Sequence, residues 1–414
     1  MTQATTSEAS PAIAAPASGS NYTLWLLIGA IFVVSVDSRV ITPILPAIAD
    51  DLDVSIGSAG LIVTAYLLPY GLFQLVYGPV ADRIGNVRVI SLTLGAFALG
   101  GILCALAPTL PALVGARFFT GMVAAAVFPL TLAYIGETVA YSERQHAIGY
   151  TVMASSIGQV ISSGAGGFLA ALLSWRAIFA LDGVIALVLT VAMLRNRAMP
   201  ARPSGPRRST RAGFELVLRD RRHALFYVMI FVEGIFTLGA ISFLGAMLRD
   251  RDGFSYTAIG FIISLFGLTA IVAGRIIGPL ARRIGETRMI LFGGLGVAIS
   301  YGLMALQPAI VFFPVAMSLL GITWILMHTT LQTRATELAP AARATGISLF
   351  AFSLFLGSSA GALITAQSID RFDYNPTMLG MGLLALVFAL VGSVTIPRWS
   401  KPERGPLAEP ARRR

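Results

Sequence analysis

The chain has 414 residues, of which 56% are hydrophobic and only 12% are charged. Soluble domains carry about 25% charged residues, so a soluble core of this length could not bury so much apolar surface. The composition therefore indicates that a lipid bilayer surrounds most of the chain, and it argues against soluble enzymes, nucleic-acid-binding proteins and secreted scaffolds. The formal net charge is +10, which in a soluble protein would suggest a nucleic-acid partner.

Few residues are available for metal, redox or nucleotide chemistry. The single cysteine, Cys104, excludes an intrachain disulfide. Three histidines without an HExxH or CxxC pattern argue against a built metal site. The only lysine, Lys401, lies in the C-terminal tail, so the chain has no Walker A loop. We therefore expect no catalytic residues, no metal and no cofactor.

A spanning helix needs about 20 mostly apolar residues, and twelve stretches of the chain meet this requirement. We number them spans 1 to 12: 22–48, 56–78, 88–107, 110–137, 146–172, 176–194, 223–248, 256–280, 287–306, 309–335, 343–367 and 377–397. The predicted fold is an all-α integral membrane protein with twelve transmembrane helices in two six-helix halves. The predicted domains are a disordered N-terminal tail (1–20), an N-terminal bundle (21–195), a basic linker (196–222), a C-terminal bundle (223–397) and a basic tail (398–414). The N-terminal tail lacks the basic region of a signal peptide.

The basic residues fall mainly on one side of the predicted membrane. Of the 30 Lys and Arg residues, four lie in loops on the opposite side, namely Arg176, Arg249, Arg251 and Arg371. Most of the others lie in loops on the side of the two termini, and cytoplasmic loops carry such an excess. We therefore expect both termini in the cytoplasm and the protein in the inner (plasma) membrane. The basic balance then reflects topology and contact with anionic lipid rather than nucleic acid.

The two halves carry a repeat at an offset of 200 residues. The segment GPVADRIG (78–85) matches GPLARRIG (278–285), and Glu137 matches Glu337. Chance similarity between two apolar helices does not explain charged residues that match in the loops. A repeat between two halves that both start inside is a parallel duplication, which produces pseudo-symmetric halves. That is a transporter architecture with its binding site between the halves.

The loop between spans 2 and 3 resembles the signature loop of the major facilitator superfamily, GxLaDRxGRR. The matching gating residues are Gly78, Asp82, Arg83, Gly85 and Arg88, although Asn86 and Val87 stand where the family usually has two basic residues. The resemblance extends from about residue 22 to 397. It implies a twelve-helix secondary transporter that works by alternating access and is not an enzyme.

The resemblance also implies an inner gate. In the family, the acid of the signature loop meets the N-terminus of span 11, so Asp82 is expected near 342–345, where a helix dipole favours an anion. Glu137 and Arg144, with Glu337 and Arg343 in the second half, resemble the charge relay found beside this loop. The alternatives are a solvated turn for the loop and ordinary interface charges for the four relay residues.

Charged groups inside a bilayer are costly, and they usually pair or face a cavity. Asp37 of span 1 and Arg117 of span 4 lie at similar depth in helices that neighbour each other in this fold, and Arg117-Phe-Phe-Thr-Gly121 resembles the RxxxG motif of proton-coupled facilitators. Protonating an acid that is paired with Arg releases the Arg. The pair is therefore predicted to be a proton switch, and the alternative is a static buried ion pair.

Three further polar groups lie in the spans. Glu233 of span 7 lies near the midplane and is predicted to be a second proton site or to attract a cationic substrate; the alternative is a neutral Glu that is hydrogen-bonded to a neighbouring helix. His328 of span 10 is a candidate substrate ligand, but helix packing explains it better. Arg39 leaves room for an anionic substrate, and it should not share a partner with Asp37, because residues two apart on a helix face different ways.

Span 5 resembles the antiporter motif of drug exporters, GxxxGPxxGG. Gly158, Gly166 and Gly167 match this motif, while Ser162 and Ser163 replace its Gly-Pro pair. Without the proline the motif supports antiport less strongly. Small residues also let helices pack closely, which is the simpler interpretation.

The predicted substrate cavity lies between the halves and is aromatic, with few charges. Its predicted lining is Arg39, Tyr66, Tyr70, Gln74, Phe128, Gln159, Phe236, Trp324 and His328. Such a cavity suits a hydrophobic or amphipathic compound. The predicted function is proton-coupled efflux by antiport, similar to the twelve-helix drug:proton antiporters and the sugar-efflux-like branch. The expected partners are a small-molecule substrate, protons and lipid, and the expected state is a monomer driven by the proton gradient. The alternatives are a proton-coupled importer or symporter of a small organic anion and, from another class, a membrane enzyme or receptor.

Overall fold

The computed structural model describes residues 18–196, 210–306, 311–338 and 343–399. Within these ranges the chain forms helices joined by short turns. Most of the predicted N-terminal tail, the first part of the linker and most of the C-terminal tail lie outside the described residues. Two boundaries differ from the sequence prediction, because the first helix already begins at Ser18 and the last one extends to Trp399.

The first half contains six spans, two of which are divided into two helices. The helices are Ser18–Leu52 (span 1), Ile56–Ala59 and Leu61–Ile84 (span 2), Asn86–Leu106 (span 3), Leu110–Ala124 and Val127–Thr138 (span 4), Tyr141–Leu172 (span 5) and Trp175–Arg195 (span 6).

The second half also has six spans, two of which are divided, and it follows a short linker helix, Thr210–Leu218. Its helices are Arg221–Gly234, the π-helix Ile235–Gly239 and Leu244–Asp250 (span 7), Tyr256–Gly274 and Ile277–Ile284 (span 8), Glu286–Leu306 (span 9), Phe312–Glu337 (span 10), Arg343–Phe372 (span 11) and Tyr374–Trp399 (span 12).

Eleven of these spans are long and apolar enough to cross a membrane. Span 5 is not among the eleven, although it has 32 residues, because Gly, Ser and Gln residues interrupt its apolar sequence. It nevertheless lies alongside span 1 and span 8. The predicted all-α membrane fold is therefore confirmed.

The duplication is visible in the backbone. Gly85 (φ +96°) and Gly285 (φ +77°) occupy equivalent turns, between spans 2 and 3 and between spans 8 and 9. This positive φ favours glycine, because a Cβ would be strained there. We call the end of the bundle that carries these two turns the Gly-turn end, and the opposite end the far end.

The two halves meet mainly where span 2 packs against span 11 and where span 5 packs against span 8. A Cβ on Gly167 of span 5 would collide with the backbone oxygen of Tyr256, at the start of span 8. A Cβ on Gly71 of span 2 would lie 3.1 Å from the Cβ of Phe355 in span 11. Glycine at these crossings lets the helices of opposite halves approach closely.

Polar contacts close the far end. Asp370 of span 11 accepts hydrogen bonds from the hydroxyl of Ser55 (3.0 Å) and from the backbone N–H of Gly57 (3.1 Å). The hydroxyl of Tyr256 in the second half donates to Asp50 in the first half (3.0 Å). These contacts join the halves at the far end.

The Gly-turn end is more open around the signature loop. Asp82 and Arg83 are exposed, and a Cβ on Gly78 or on Gly85 would meet no atom of the described residues within 4 Å. Among the described residues, the loop of the first half therefore does not pack against the second half at these positions.

We expect Asp370→Ala to weaken closure of the far end. The variant loses two hydrogen bonds between the halves, and one such bond stabilises by about 1 kcal/mol, which is about a fivefold change in population. Double electron–electron resonance between spin labels at Leu173 and Leu306, which are exposed at the far end, should show a larger long-distance population. Asp51→Ala is the control, because Asp51 pairs with Arg176 within the first half. An unchanged distance distribution in Asp370→Ala would contradict the role of this contact.

Candidate functional site

A buried ion pair joins spans 1 and 4. Nη1 of Arg117 donates to Oδ1 of Asp37 at 2.6 Å, and the two side chains are 0% and 2% exposed. The guanidinium carbon of Arg117 lies 4.2 Å from the ring centre of Tyr66 and 5.4 Å from that of Phe179. Aromatic faces stabilise a cation. The two residues that the sequence places at one depth are therefore in direct contact, and their role in proton coupling stays a prediction.

A second carboxylate, Asp182 of span 6, lies in the same pocket. Asp182 is buried, and its charge interacts with those of Asp37 and Arg117. In the described part of the chain, Oδ2 of Asp182, Oδ2 of Asp37, and Nε and Nη2 of Arg117 have no hydrogen-bond partner. Asp37 thus pairs directly with Arg117, whereas Asp182 lies buried nearby without forming an ion pair with it. We call Asp37, Arg117 and Asp182 the acid pocket. Sequence reasoning missed Asp182, although an Asp inside an apolar span is the signal that identified Asp37.

A second polar pair lies in the other half. Nδ1 of His328 in span 10 lies 2.8 Å from Oε1 of Glu233 in span 7. The Glu233 side chain is fully buried, and that of His328 is 11% exposed. The partner of Glu233 was not identified from the sequence, because the two residues are 95 positions apart. The pair gives Glu233 a neighbour on another helix, and the use of this group in proton transfer stays a prediction.

An aromatic row leads from this pair towards the first half. The rings of His328 and Trp324 stack at 4.7 Å, and the ring centre of Trp324 lies 5.2 Å from that of Phe266 in span 8. Phe266 in turn lies 6.0 Å from the guanidinium carbon of Arg39 in span 1. Nε of Arg39 donates to Oε1 of Gln159 in span 5 at 3.1 Å. Arg39, Gln159, Trp324 and His328, all predicted to line the cavity, therefore lie along one connected wall, with Phe266 as an additional member.

The remaining predicted lining residues occupy different places. Tyr66 is 2% exposed and covers Arg117 inside the first half, so it belongs to the acid pocket rather than to an open cavity. Tyr70 packs against Phe355 of span 11 at 4.5 Å, in the interface between the halves. Gln74 and Phe128 are half-buried, and their contact with substrate stays a prediction.

Phe236 packs within the second half in this state, and its contact with substrate stays a prediction. Phe236 is fully buried and packs edge-on against Phe388 of span 12 at 5.3 Å. Its backbone oxygen accepts a hydrogen bond from Tyr301 of span 9 at 2.6 Å. The reason is the π-helix that begins at Ile235, because its wider turn changes the face on which the following side chains lie.

The predicted gating residues lie at the Gly-turn end. Asp82, Arg83, Arg88, Glu137 and Glu337 are exposed. Glu137 accepts a hydrogen bond from the amide of Asn86 at 2.9 Å, and Nε of Arg144 donates to the backbone oxygen of Val139 at 2.9 Å. The N-terminal approach to span 11 (339–342) and the side chain of Arg343 lie outside the described residues. The contact of Asp82 with span 11 therefore stays a prediction.

An ion pair at this end was not foreseen from the sequence. Arg334 of span 10 pairs with Glu286 at the start of span 9. Glu286 stands 200 residues after Asn86, whose amide contacts Glu137 of span 4. Each half thus uses the residue after its turn glycine to hold its third helix to its fourth.

The motif of span 5 is a packing surface. The hydroxyl of Ser162 donates to the backbone oxygen of Val36 in span 1 at 2.5 Å. A Cβ on Gly158 would lie 2.8 Å from the backbone oxygen of Phe32, and one on Gly166 would lie 2.9 Å from Val40. The hydroxyl of Ser163 bonds to the backbone oxygen of Gln159 within the helix. The small residues therefore hold span 5 close to span 1, while Gly167 faces span 8.

Comparisons with known proteins agree with this architecture. A family model described as Major Facilitator Superfamily matches residues 27–362. The chain is 24% identical to "Uncharacterized MFS-type transporter YceJ" of Bacillus subtilis over 91% of this chain and 97% of that relative. It is 27% identical to "Multidrug resistance protein 2" of the same organism over 64% of this chain and 68% of that relative.

Solved structures have the same fold. A bacterial homolog of the human lysosomal transporter Spinster, in an inward-facing and unoccupied conformation, has a TM-score of 0.76 and 18% identity, over 94% of this chain and 100% of that chain. The nucleoside transporter NupG has a TM-score of 0.76 and 14% identity, over 92% of this chain and 100% of that chain. With the family match across most of its length, the chain belongs to the Major Facilitator Superfamily, and it is a multi-pass membrane transporter of small molecules rather than an enzyme.

Proposed function

We propose that the chain is a proton-coupled antiporter that exports small hydrophobic or amphipathic compounds by alternating access, with Asp37 and Arg117 as its proton switch. The observation that carries this proposal is the acid pocket, in which Asp37 pairs with Arg117 and a second carboxylate, Asp182, is buried nearby. With both acids ionised the pocket has one excess negative charge, and uptake of one proton removes it. Protonation of Asp37 also removes its charge attraction for Arg117, so that Arg117 can pair with Asp182 instead.

Span 1 connects the acid pocket with the cleft between the halves. Asp37 contacts Arg117 of span 4, whereas Arg39, two residues later, contacts Gln159 of span 5 and lies near Phe266 of span 8. A shift of Asp37 relative to Arg117 therefore moves Arg39 as well. Through span 1, the protonation of Asp37 and the binding of substrate near Arg39 each change the contacts of the other site. Coupling between two ligands requires such a dependence.

The observed state fits one step of this cycle. The far end is held closed by Asp370 and Tyr256, and Asp82 and Arg83 are exposed at the Gly-turn end. The excess of basic residues predicts that the Gly-turn end and both termini face the cytoplasm of a cell with an inner membrane. In that orientation the state would receive its substrate from the cytoplasm.

Two observations favour export. Relatives over most of the chain include proteins named for multidrug resistance, and span 5 carries the glycine pattern that resembles the drug-exporter motif. The half-buried guanidinium of Arg39 favours a second candidate, a proton-coupled importer or symporter of a small organic anion, because a cation in a cleft attracts anions.

The test uses everted membrane vesicles that contain a pH-sensitive dye. Lipophilic cations, neutral drugs, sugars and organic acids are added in turn to vesicles with and without the protein. Under the proposal, at least one compound collapses the pH gradient only when the protein is present. If no compound does so, and intact cells instead take up an organic acid faster at low external pH, the second candidate replaces the first.

We expect Asp82→Asn to slow turnover without weakening substrate binding in the observed state. Asp82 is exposed, and under the proposal it meets its partner, the N-terminus of span 11, when the Gly-turn end closes. A carboxylate at a helix N-terminus contributes about 1 kcal/mol, so the maximal transport rate should fall about fivefold. Glu143→Gln, an exposed acid at the same end, is the control. An unchanged rate in Asp82→Asn would show that this loop does not gate transport.

A further inference from the structure

One charged group in the middle of the spans differs from the others. Arg117, Asp37 and Asp182 are buried together in the acid pocket, and Glu233 is buried against His328. Arg39, in contrast, is half-buried between the halves. Nε of Arg39 donates a hydrogen bond to the neutral amide of Gln159, and no carboxylate in the described ranges forms an ion pair with Arg39.

Arg39 is also held in place for binding. Gln159 accepts the hydrogen bond of Nε, so the two terminal nitrogens Nη1 and Nη2 remain for another acceptor. Two parallel N–H groups of a guanidinium match the two oxygens of a carboxylate. Phe266 of the second half lies beside this guanidinium, and Trp324 extends the aromatic surface from Phe266 towards His328.

The second unsatisfied group of this wall is also a donor. Nε1 of Trp324 is buried and has no hydrogen-bond partner among the described residues. An indole N–H can only donate, and a guanidinium can only donate. The acid that contacts this row, Glu233, is fully buried, whereas the His328 side chain that pairs with it is 11% exposed. The wall therefore offers donors and ring faces to a ligand and offers no free acid.

We propose that the transported compound is an amphipathic organic anion, whose acidic head binds Arg39 and whose apolar or aromatic body lies along Phe266 and Trp324. This inference rests on the proposed transport function and names the substrate class. A lipophilic cation gains nothing from this wall, because it would approach an unpaired guanidinium. A neutral compound gains the aromatic contacts only.

The test compares three probes that differ only in the head group: 4-phenylbutyrate, 4-phenylbutan-1-ol and 4-phenylbutylamine. Isothermal titration calorimetry on the purified full-length protein in detergent measures their affinities without any proton gradient. The wild type should bind the carboxylate most tightly and the amine most weakly. Arg39→Gln should weaken the carboxylate by about tenfold or more, because a charged hydrogen bond is lost, and should leave the alcohol unchanged. Arg39→Lys should retain part of the preference.

Two further variants make the result specific. Trp324→Ala should weaken all three probes by a similar factor, because it removes a surface for the body and not for the head. Arg275→Gln is the matched control, since Arg275 is exposed at the bend of span 8, and it should change no affinity. Tighter binding of the amine than of the carboxylate, or an unchanged carboxylate affinity in Arg39→Gln, would overturn the inference. So would a failure of all three probes to bind the wild type.

The same probes separate this inference from the proposed function. If the carboxylate binds through Arg39 but moves no protons in vesicles, the antiport proposal fails and the binding site stands. If the amine alone collapses the pH gradient, the antiport proposal stands and the anion site fails.

Discussion

Asp37→Asn is expected to abolish proton-driven transport and reduce it to the level of vesicles that lack the protein. Asn has nearly the shape of Asp but cannot take up or release a proton, so Arg117 would keep one fixed set of contacts. Asp37 is 2% exposed and lies 2.6 Å from Arg117. Asp182, the other acid of the pocket, forms no ion pair with Arg117 among the described residues, so it does not replace this contact. The measurement is the substrate-induced collapse of the pH gradient in everted vesicles, together with equilibrium binding of the same substrate. Binding should persist, because Arg39 and the aromatic row are untouched.

The matched control for this variant is Asp51→Asn. Asp51 also pairs with an arginine of the first half, Arg176, but at an exposed position near the far end. Exposed ion pairs contribute little, so Asp51→Asn should transport like the wild type. Normal proton-driven transport by Asp37→Asn would exclude Asp37 as the coupling acid and leave it as a static member of a buried ion pair.

Arg117→Met is expected to destabilise the folded protein by about 3–5 kcal/mol, because it leaves two buried acids without their cation. Arg117 is fully buried, pairs with Asp37 and lies against the ring of Tyr66, and the second acid, Asp182, is buried nearby. The measurement is thermal unfolding of the purified protein in detergent, and the midpoint should fall markedly. The loss should be larger at high pH than at low pH, because protonation of the two acids relieves their repulsion.

A double variant separates lost charge balance from lost packing. Asp37→Asn/Arg117→Met removes one acid with the cation and should recover part of the stability lost in Arg117→Met, with Asp182 left as the remaining charge. If the double variant is destabilised relative to the wild type by the sum of the two single effects, the two side chains do not interact energetically. That result would remove the physical basis of the proton switch.

Much of the fold could be predicted from the sequence because the bilayer imposes a simple rule. A helix must be apolar over about 20 residues to cross the membrane, so the spans are readable as runs, and Gly85 and Gly285 mark equivalent turns 200 residues apart. Hydropathy identifies span 5 less clearly, because its Gly and Ser residues lower its hydropathy. These small residues let span 5 pack closely against spans 1 and 8. Helix ends at Ser18 and Trp399 lie outside the apolar runs, so hydropathy does not determine them.

The candidate site was only partly predictable from the sequence. The depth of a residue in the membrane follows from its position in a span, whereas the direction in which its side chain points does not. Asp37 and Arg117 were matched by depth and by the known neighbourhood of their helices. Glu233 and His328 lie about 18 Å and about 14 Å from the Gly-turn end, at about 1.5 Å per residue. This similar depth is compatible with their pairing, but depth alone does not show that their side chains face each other. No such count places Phe236, because the π-helix at Ile235–Gly239 changes the register of span 7.

The measurement that tests the account most directly uses the purified protein in proteoliposomes with an imposed pH gradient. A labelled substrate found in the vesicle screen is placed on one side, and its movement is followed together with the internal pH. Substrate should move opposite to protons, and reversing the pH gradient should reverse the direction of substrate movement. Asp37→Asn should stop the movement of both substrate and protons. Substrate movement that ignores the gradient, or that follows the protons in the same direction, would contradict proton-coupled antiport through the acid pocket.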